Sequence, residues 1–148
     1  MKKNTFKNKG QKDVTAFMKS KPIRKIVNYY YFTGNDATAR DIVNSVGDSY
    51  RDAADIWPEL NLAEVVLPTD SLIFQDVREA FVDPADQEYL KEHDYTSQFQ
   101  ISFDIGDTDA VRSVMRNIMT QIGGRICSDT DDFEPSYTAD SLAEFGLA

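Results

Sequence analysis

The sequence predicts an α+β fold, and three observations predict it. Phe99, Ile101, Phe103 and Ile105 alternate strictly with Gln98, Gln100, Ser102 and Asp104, the pattern of a strand with one face on a core. Val111, Val114, Met115, Ile118, Met119 and Ile122 follow at the spacing 0, 3, 4, 7, 8, 11 of an amphipathic helix, with Arg112, Arg116, Asn117 and Gln121 opposite. A second strand-to-helix passage lies upstream. Setting Gly34 on Gly106 puts Arg40 on Arg112, Ile42 on Val114, Val43 on Met115 and Val46 on Ile118 without a gap, a faint internal repeat.

Taken in order, residues 1–22 read as a basic, largely flexible leader, because their lysines leave too little apolar surface to bury. Within it, Val14, Phe17 and Met18 could share one side of a short helix before Pro22. Ile23 to Phe32 is apolar on both alternating faces, as in a strand covered by neighbours. Gly34-Asn35-Asp36 breaks it and supplies cap candidates, and Ala39, Ile42, Val43 and Val46 then repeat at helical spacing up to Gly47. Tyr50, Ala53, Ala54 and Trp57 have the same spacing, which predicts a second short helix stopped by Pro58. Residues 63–67 and 72–77 read as a hairpin joined by Pro68-Thr69-Asp70-Ser71. Asp83-Pro84 opens a polar surface helix running to about His93. After the strand and helix first described, Gly123-Gly124 ends the helix and 125–128 forms a short last strand.

The order β-α-β-β-(insert)-β-α-β is that of a ferredoxin-like split βαβ sandwich, with the 78–97 segment as an inserted surface helix. Right-handed crossovers put both main helices on one sheet face. The expected organisation is a leader at 1–22, a single α+β domain at 23–135 and an acidic C-terminal tail at 136–148. A chain of 148 residues with 41% hydrophobic content can bury one core and is short for two typical domains.

Charge is distributed unevenly along this chain. Residues 1–25 hold nine of the sixteen Lys and Arg against one acid, Asp13, whereas residues 26–148 hold seven against 24 acids. A body so acidic repels nucleic-acid phosphates and attracts basic partners. The Tyr29-Tyr30-Tyr31-Phe32 run therefore reads as sheet packing, because base stacking there would lack electrostatic support. One cysteine, Cys127, excludes an intrachain disulfide, and with one histidine it excludes a four-ligand Cys/His zinc site. No stretch reaches the ~18 apolar residues of a membrane span, and no apolar signal core follows the lysines. The expectation is a cytoplasmic protein with no membrane partner.

Candidate chemistry centres on seven carboxylates. Asp104, Asp107 and Asp109 leave one strand, and Asp129, Asp131, Asp132 and Glu134 leave the strand joined to it by a helix, so parallel pairing brings them to one edge of the sheet. Such an edge suits docking of a basic protein or a hard cation such as Ca²⁺ or Mg²⁺. The alternative is a solvated rim with helix caps, Asp107 or Asp109 lying at a helix N-terminus. Asp129 to Glu134 does not match the EF-hand loop, which needs Gly where Glu134 stands. No phosphate-binding glycine motif is present, and Asp36 would repel an anion at the Gly34 turn. His93 and Cys127 form the one conceivable base and nucleophile, with nothing in the sequence to orient them, and His93 better suits a helix C-terminus.

The function class expected is a non-enzymatic acidic interaction module. It would bind a basic protein surface, such as that of a nucleic-acid-binding protein, as an inhibitor or nucleic-acid mimic of the phage, mobile-element or immunity type. It calls for no cofactor, and its body would not touch nucleic acid directly. The alternative class is a small-ligand sensor or metal-dependent enzyme using the carboxylate edge.

Overall fold

The computed structural model describes residues 25–146. The basic leader expected at 1–22 lies outside the described residues. One seven-stranded sheet organises the rest: β1 (Ile26–Thr33), β2 (Ala54–Trp57), β3 (Leu62–Val66), β4 (Ser71–Asp76), β5 (Ser97–Asp104), β6 (Arg125–Cys127) and β7 (Ser136–Tyr137). Their order is β2-β3-β4-β5-β1-β6-β7, and neighbours pair antiparallel throughout. The helices are α1 (Ala39–Asn44), α2 (Asp48–Arg51), α3 (Pro84–Glu92) and α4 (Thr108–Ile122). No helix among the described residues is long and apolar enough to cross a membrane.

The fold is α+β, as the alternation and helical periods require. β5 and β6 are each antiparallel to β1 and flank it, so they run parallel, joined by α4 as a split unit. β1 and β4 flank β5 in the same way. On one sheet face Tyr31, Ala63, Val65, Leu72, Phe74, Phe99, Ile101 and Phe103 share one core with Ile42 of α1, Val46 just after it, and Val114, Met115 and Ile118 of α4. Of the aligned pairs, Ile42 with Val114 and Val46 with Ile118 are buried in this core. Thr38 caps α1, with Asp41 returning the bond as a capping box.

The second face carries a smaller aromatic cluster of Phe32, Phe81, Leu90, Cys127 and Phe133, with Tyr30, Tyr89 and Tyr95 packed against it. The surface helix expected at 83–93 is α3, and it lies here. Its two large apolar residues, Tyr89 and Leu90, join the cluster.

One element is corrected. The helix expected over Tyr50 to Trp57 is a single turn, α2, followed by the strand β2. Ala54 to Trp57 pairs with Val65 to Leu62, which turns Ala54 and Ile56 to the core and Asp55 and Trp57 outward. The helical spacing of four apolar residues did not include Ile56, and pairing with the edge of β3 selected the strand that buries it.

Residues 136–146, expected as part of an acidic tail, supply β7 and a 3₁₀ segment, Ala139–Glu144. Leu142 and Phe145 are fully buried in the main core. Arg112 fastens this segment: its Nε donates to the Phe145 carbonyl at 3.2 Å while its Nη1 pairs with Asp109 at 2.8 Å.

Candidate functional site

The carboxyl ends of β5 and β6 do lie at one end of the sheet, because both strands run antiparallel to β1. Their carboxylates nevertheless divide into two sets. Asp104 is buried and accepts from the amides of Gly106 (2.8 Å) and Lys25 (3.3 Å). Asp107, also buried, accepts from the amides of Thr69 and Asp70 at 3.0 Å each, tying the start of α4 to the β3–β4 turn. Asp109 is held by Arg112. Asp104 and Asp107 tie distant backbone segments together, so they are neither a solvated rim nor, in the case of Asp107, a side-chain cap of α4.

The other four lie on the loop between β6 and β7, and a hydrophobic anchor presents them. Phe133 is buried, its ring 4.8 Å from Tyr89, 5.2 Å from Phe32 and 5.9 Å from Phe81 by centroid. It holds φ 64°, a left-handed conformation costly for a bulky side chain, which the burial offsets. Around it the backbone is cross-tied: the Ser128 amide donates to the carbonyls of Phe133 and Pro135 at 3.2 Å, and the Phe133 amide donates to Thr130. The Glu134–Pro135 bond is cis. With the apolar residue turned in, Asp129, Asp131, Asp132 and Glu134 are exposed.

Two of these carboxylates also order the loop. Asp132 accepts from the Glu134 amide (3.1 Å) and Glu134 from the Ser136 amide (3.1 Å). Asp129 accepts from the Tyr30 hydroxyl at 3.3 Å. Burial first, and then the Asp129 carboxylate, raise the Tyr30 phenol above its ordinary range.

The structure adds two residues to this loop that the sequence reading used only to start a helix. Asp83 caps α3 by accepting from the Ala85 amide at 2.9 Å, and Asp86 follows in the first turn. Desolvation, and then the charges of Asp83 and Asp131, raise the Asp86 carboxyl above the usual value. Asp86 and Asp131 are thus electrostatic neighbours across 45 residues of sequence. The signal present in the sequence was the acidic run at 83–88, but nothing local tied it to the 129–134 loop.

Among the described residues, no ion pair involves Asp83, Asp86, Asp129, Asp131, Asp132 or Glu134. Nor do any three or more His, Cys, Asp or Glu among the described residues form a group able to hold a metal ion.

His93 and Cys127 have separate partners. The His93 ring stacks on Tyr95, and its Nδ1 lies 2.8 Å from the Tyr89 carbonyl at the end of α3. Cys127 is buried with its Sγ 3.8 Å from the Tyr89 hydroxyl, and burial pushes its thiol up to about 11. Such a thiol is protonated and a poor nucleophile at neutral pH. The Gly34 turn borders an open groove of about 330 Å³ whose lining includes Asp36, Arg40, Asn61 and Arg78, the last paired with Asp76 at 3.0 Å.

Comparison of this chain with protein-family models, with curated proteins and with solved structures gives no match.

Proposed function

We propose that this protein is a non-enzymatic acidic interaction module that binds a basic protein surface through Asp83, Asp86, Asp129, Asp131, Asp132 and Glu134. The observation that carries the reading is geometric: the buried Phe133 turns Asp129, Asp131, Asp132 and Glu134 outward, and none of them has an ion pair among the described residues. Folding brings Asp131 beside Asp86, three residues along α3 from Asp83, and desolvation first, then these two charges, raise its carboxyl. Like charges held together disfavour the folded state, and a cationic partner relieves that repulsion as it docks. The buried, protonated Cys127 supports a role in binding over one in catalysis.

The partner class proposed is a nucleic-acid-binding protein, whose cationic groove would accept a row of carboxylates in place of phosphates. In this reading the protein works in the cytoplasm as an inhibitor or mimic. The order β6-β1-β5-β4 supports viewing the centre of the sheet as a ferredoxin-like split βαβ sandwich, with β2, β3 and β7 as additions.

The test is the salt dependence of partner binding. The Debye length falls from about 30 Å at 0.01 M to about 8 Å at 0.15 M ionic strength, so affinity for a basic partner should fall steeply over that range. An Asp129→Asn/Asp131→Asn/Asp132→Asn variant should bind more weakly and with a shallower salt slope. Salt-independent binding, or unchanged binding by the variant, overturns the proposal.

A further inference from the structure

Where β5 and β6 end, the sheet face that carries the main core opens into a pocket of about 190 Å³. Tyr29 of β1 and Phe103 of β5 line it from the sheet, Thr108 from the start of α4, and Tyr137, Phe145 and Gly146 from the C-terminal segment. Four of these residues form one connected aromatic wall. Tyr29 stacks on Phe103 with centroids 6.0 Å apart and meets Phe145 edge-on at 4.9 Å, and Phe145 meets Tyr137 edge-on at 5.4 Å. Gly146 brings this wall up to the helix. Its φ of 80° suits glycine, and a Cβ there would overlap Thr108 Cγ2, so a larger residue would force the C-terminal segment away from α4.

The polar groups of the lining fall into two kinds. The hydroxyls of Thr108 and Ser128 already donate to the carbonyls of Ile105 and Pro135, at 2.6 Å each. The hydroxyls of Tyr29 and Tyr137 have no hydrogen-bond partner among the described residues, and neither is a fully buried orphan. Burial first, and then Tyr137, raise the Tyr29 phenol above its ordinary value, so the two phenols are electrostatic neighbours. Among the described residues that line the pocket there is no Asp, Glu, Lys or Arg. Arg112, behind Gly146, is paired with Asp109 and donates to the Phe145 carbonyl. A charged ligand would lose water here and find no counter-charge, whereas an uncharged ring would not. Size narrows the class further: an apolar cavity of roughly 150 Å³ accepts benzene, so about 190 Å³ suits one ring with one small substituent.

We propose that this pocket binds a small uncharged aromatic molecule of the phenol class, its ring against the aromatic wall and its hydroxyl bonded to the hydroxyls of Tyr29 and Tyr137. The proposal does not rest on the acidic loop, whose test is the salt dependence of partner binding.

Phenol titrated into the full chain and followed by amide shifts in nitrogen-15 NMR should saturate with a Kd on the order of 1 mM or tighter, moving the signals of Ile105, Thr108 and Gly146. Benzene, which lacks the hydroxyl, and benzoate, which carries a charge, should each bind more weakly. A Tyr29→Phe/Tyr137→Phe variant keeps both rings; it should bind phenol roughly 10-fold more weakly, as expected for the loss of two neutral hydrogen bonds, and benzene as wild type does. Absence of saturable phenol shifts up to ~10 mM, or shifts confined to signals away from the pocket, overturns the proposal. Equal phenol affinity of wild type and the double variant also overturns it, as does tighter binding of benzoate than of phenol, which would make the pocket an anion site.

Discussion

Replacing Phe133 with alanine removes the one apolar side chain that holds the acidic loop against the sheet. Phe133 is 4% exposed and touches four aromatic rings, with centroids 4.8 to 6.2 Å away. Loss of a buried Phe side chain forfeits roughly 1.5–3 kcal/mol of transfer free energy, and the ring contacts and residual cavity bring Phe→Ala substitutions to about 3–5 kcal/mol. A loop can relax into part of the space, which favours the lower end, about 3 kcal/mol, and for a chain of this length a fall in Tm of roughly 10 °C. Alanine keeps the unfavourable φ, so it recovers nothing from the backbone; Phe133→Gly removes that strain and should destabilise less than truncation to a side-chain-free residue ordinarily would. Urea unfolding at equilibrium, followed by circular dichroism, measures the loss. A cost below about 1 kcal/mol, close to that of an ordinary surface change, would refute the anchoring argument.

Three further predictions follow from single contacts. Asp107→Ala leaves the Thr69 and Asp70 amides without their acceptor and should cost about 3 kcal/mol in the same unfolding assay, the lower end for two hydrogen bonds to a charged group at about 1.5–3 kcal/mol each. Asp86 has a folded-state pKa raised above its unfolded value, so its charge opposes folding at neutral pH and the penalty fades as pH falls to the unfolded value of about 3.9. Asp86→Asn should therefore raise Tm at pH 7 and change it little at pH ~3; a loss of stability at pH 7 contradicts the assigned repulsion. Cys127, buried and pushed up to about 11, should resist iodoacetamide at neutral pH in the folded chain and react readily in urea, as mass spectrometry would show.

The parts of the fold legible in the sequence are those whose period is local. Alternation over 98–105 and the 0, 3, 4, 7, 8, 11 spacing over 111–122 each state which side faces the core, and β5 and α4 bury Phe99, Ile101, Phe103, Val111, Val114, Met115, Ile118 and Met119, whereas Ile105, expected on the same face, lies past the end of β5 and is exposed. Asp83-Pro84 likewise marks the start of α3 with a cap that the backbone accepts. In 50–57 the local signal misled, because the helical series Tyr50, Ala53, Ala54 and Trp57 leaves out Ile56, which the strand buries with Ala54 while Trp57 faces outward. Pairing with β3, which no window of sequence contains, decided it.

The acidic site shows the same division. The sequence by itself determined that the body is acidic and that β5 and β6 would bring their carboxylates to one end of the sheet. Only the tertiary structure decided which of them face outward. Asp104 and Asp107 turn inward because backbone amides of Lys25, Thr69 and Asp70 converge there from distant segments. Asp83 and Asp86 join Asp131 because Leu90 and Tyr89 dock α3 on the cluster that Phe133 enters. Charge counts record how many carboxylates a chain has, whereas their neighbours are set by the packing of apolar side chains far away in sequence.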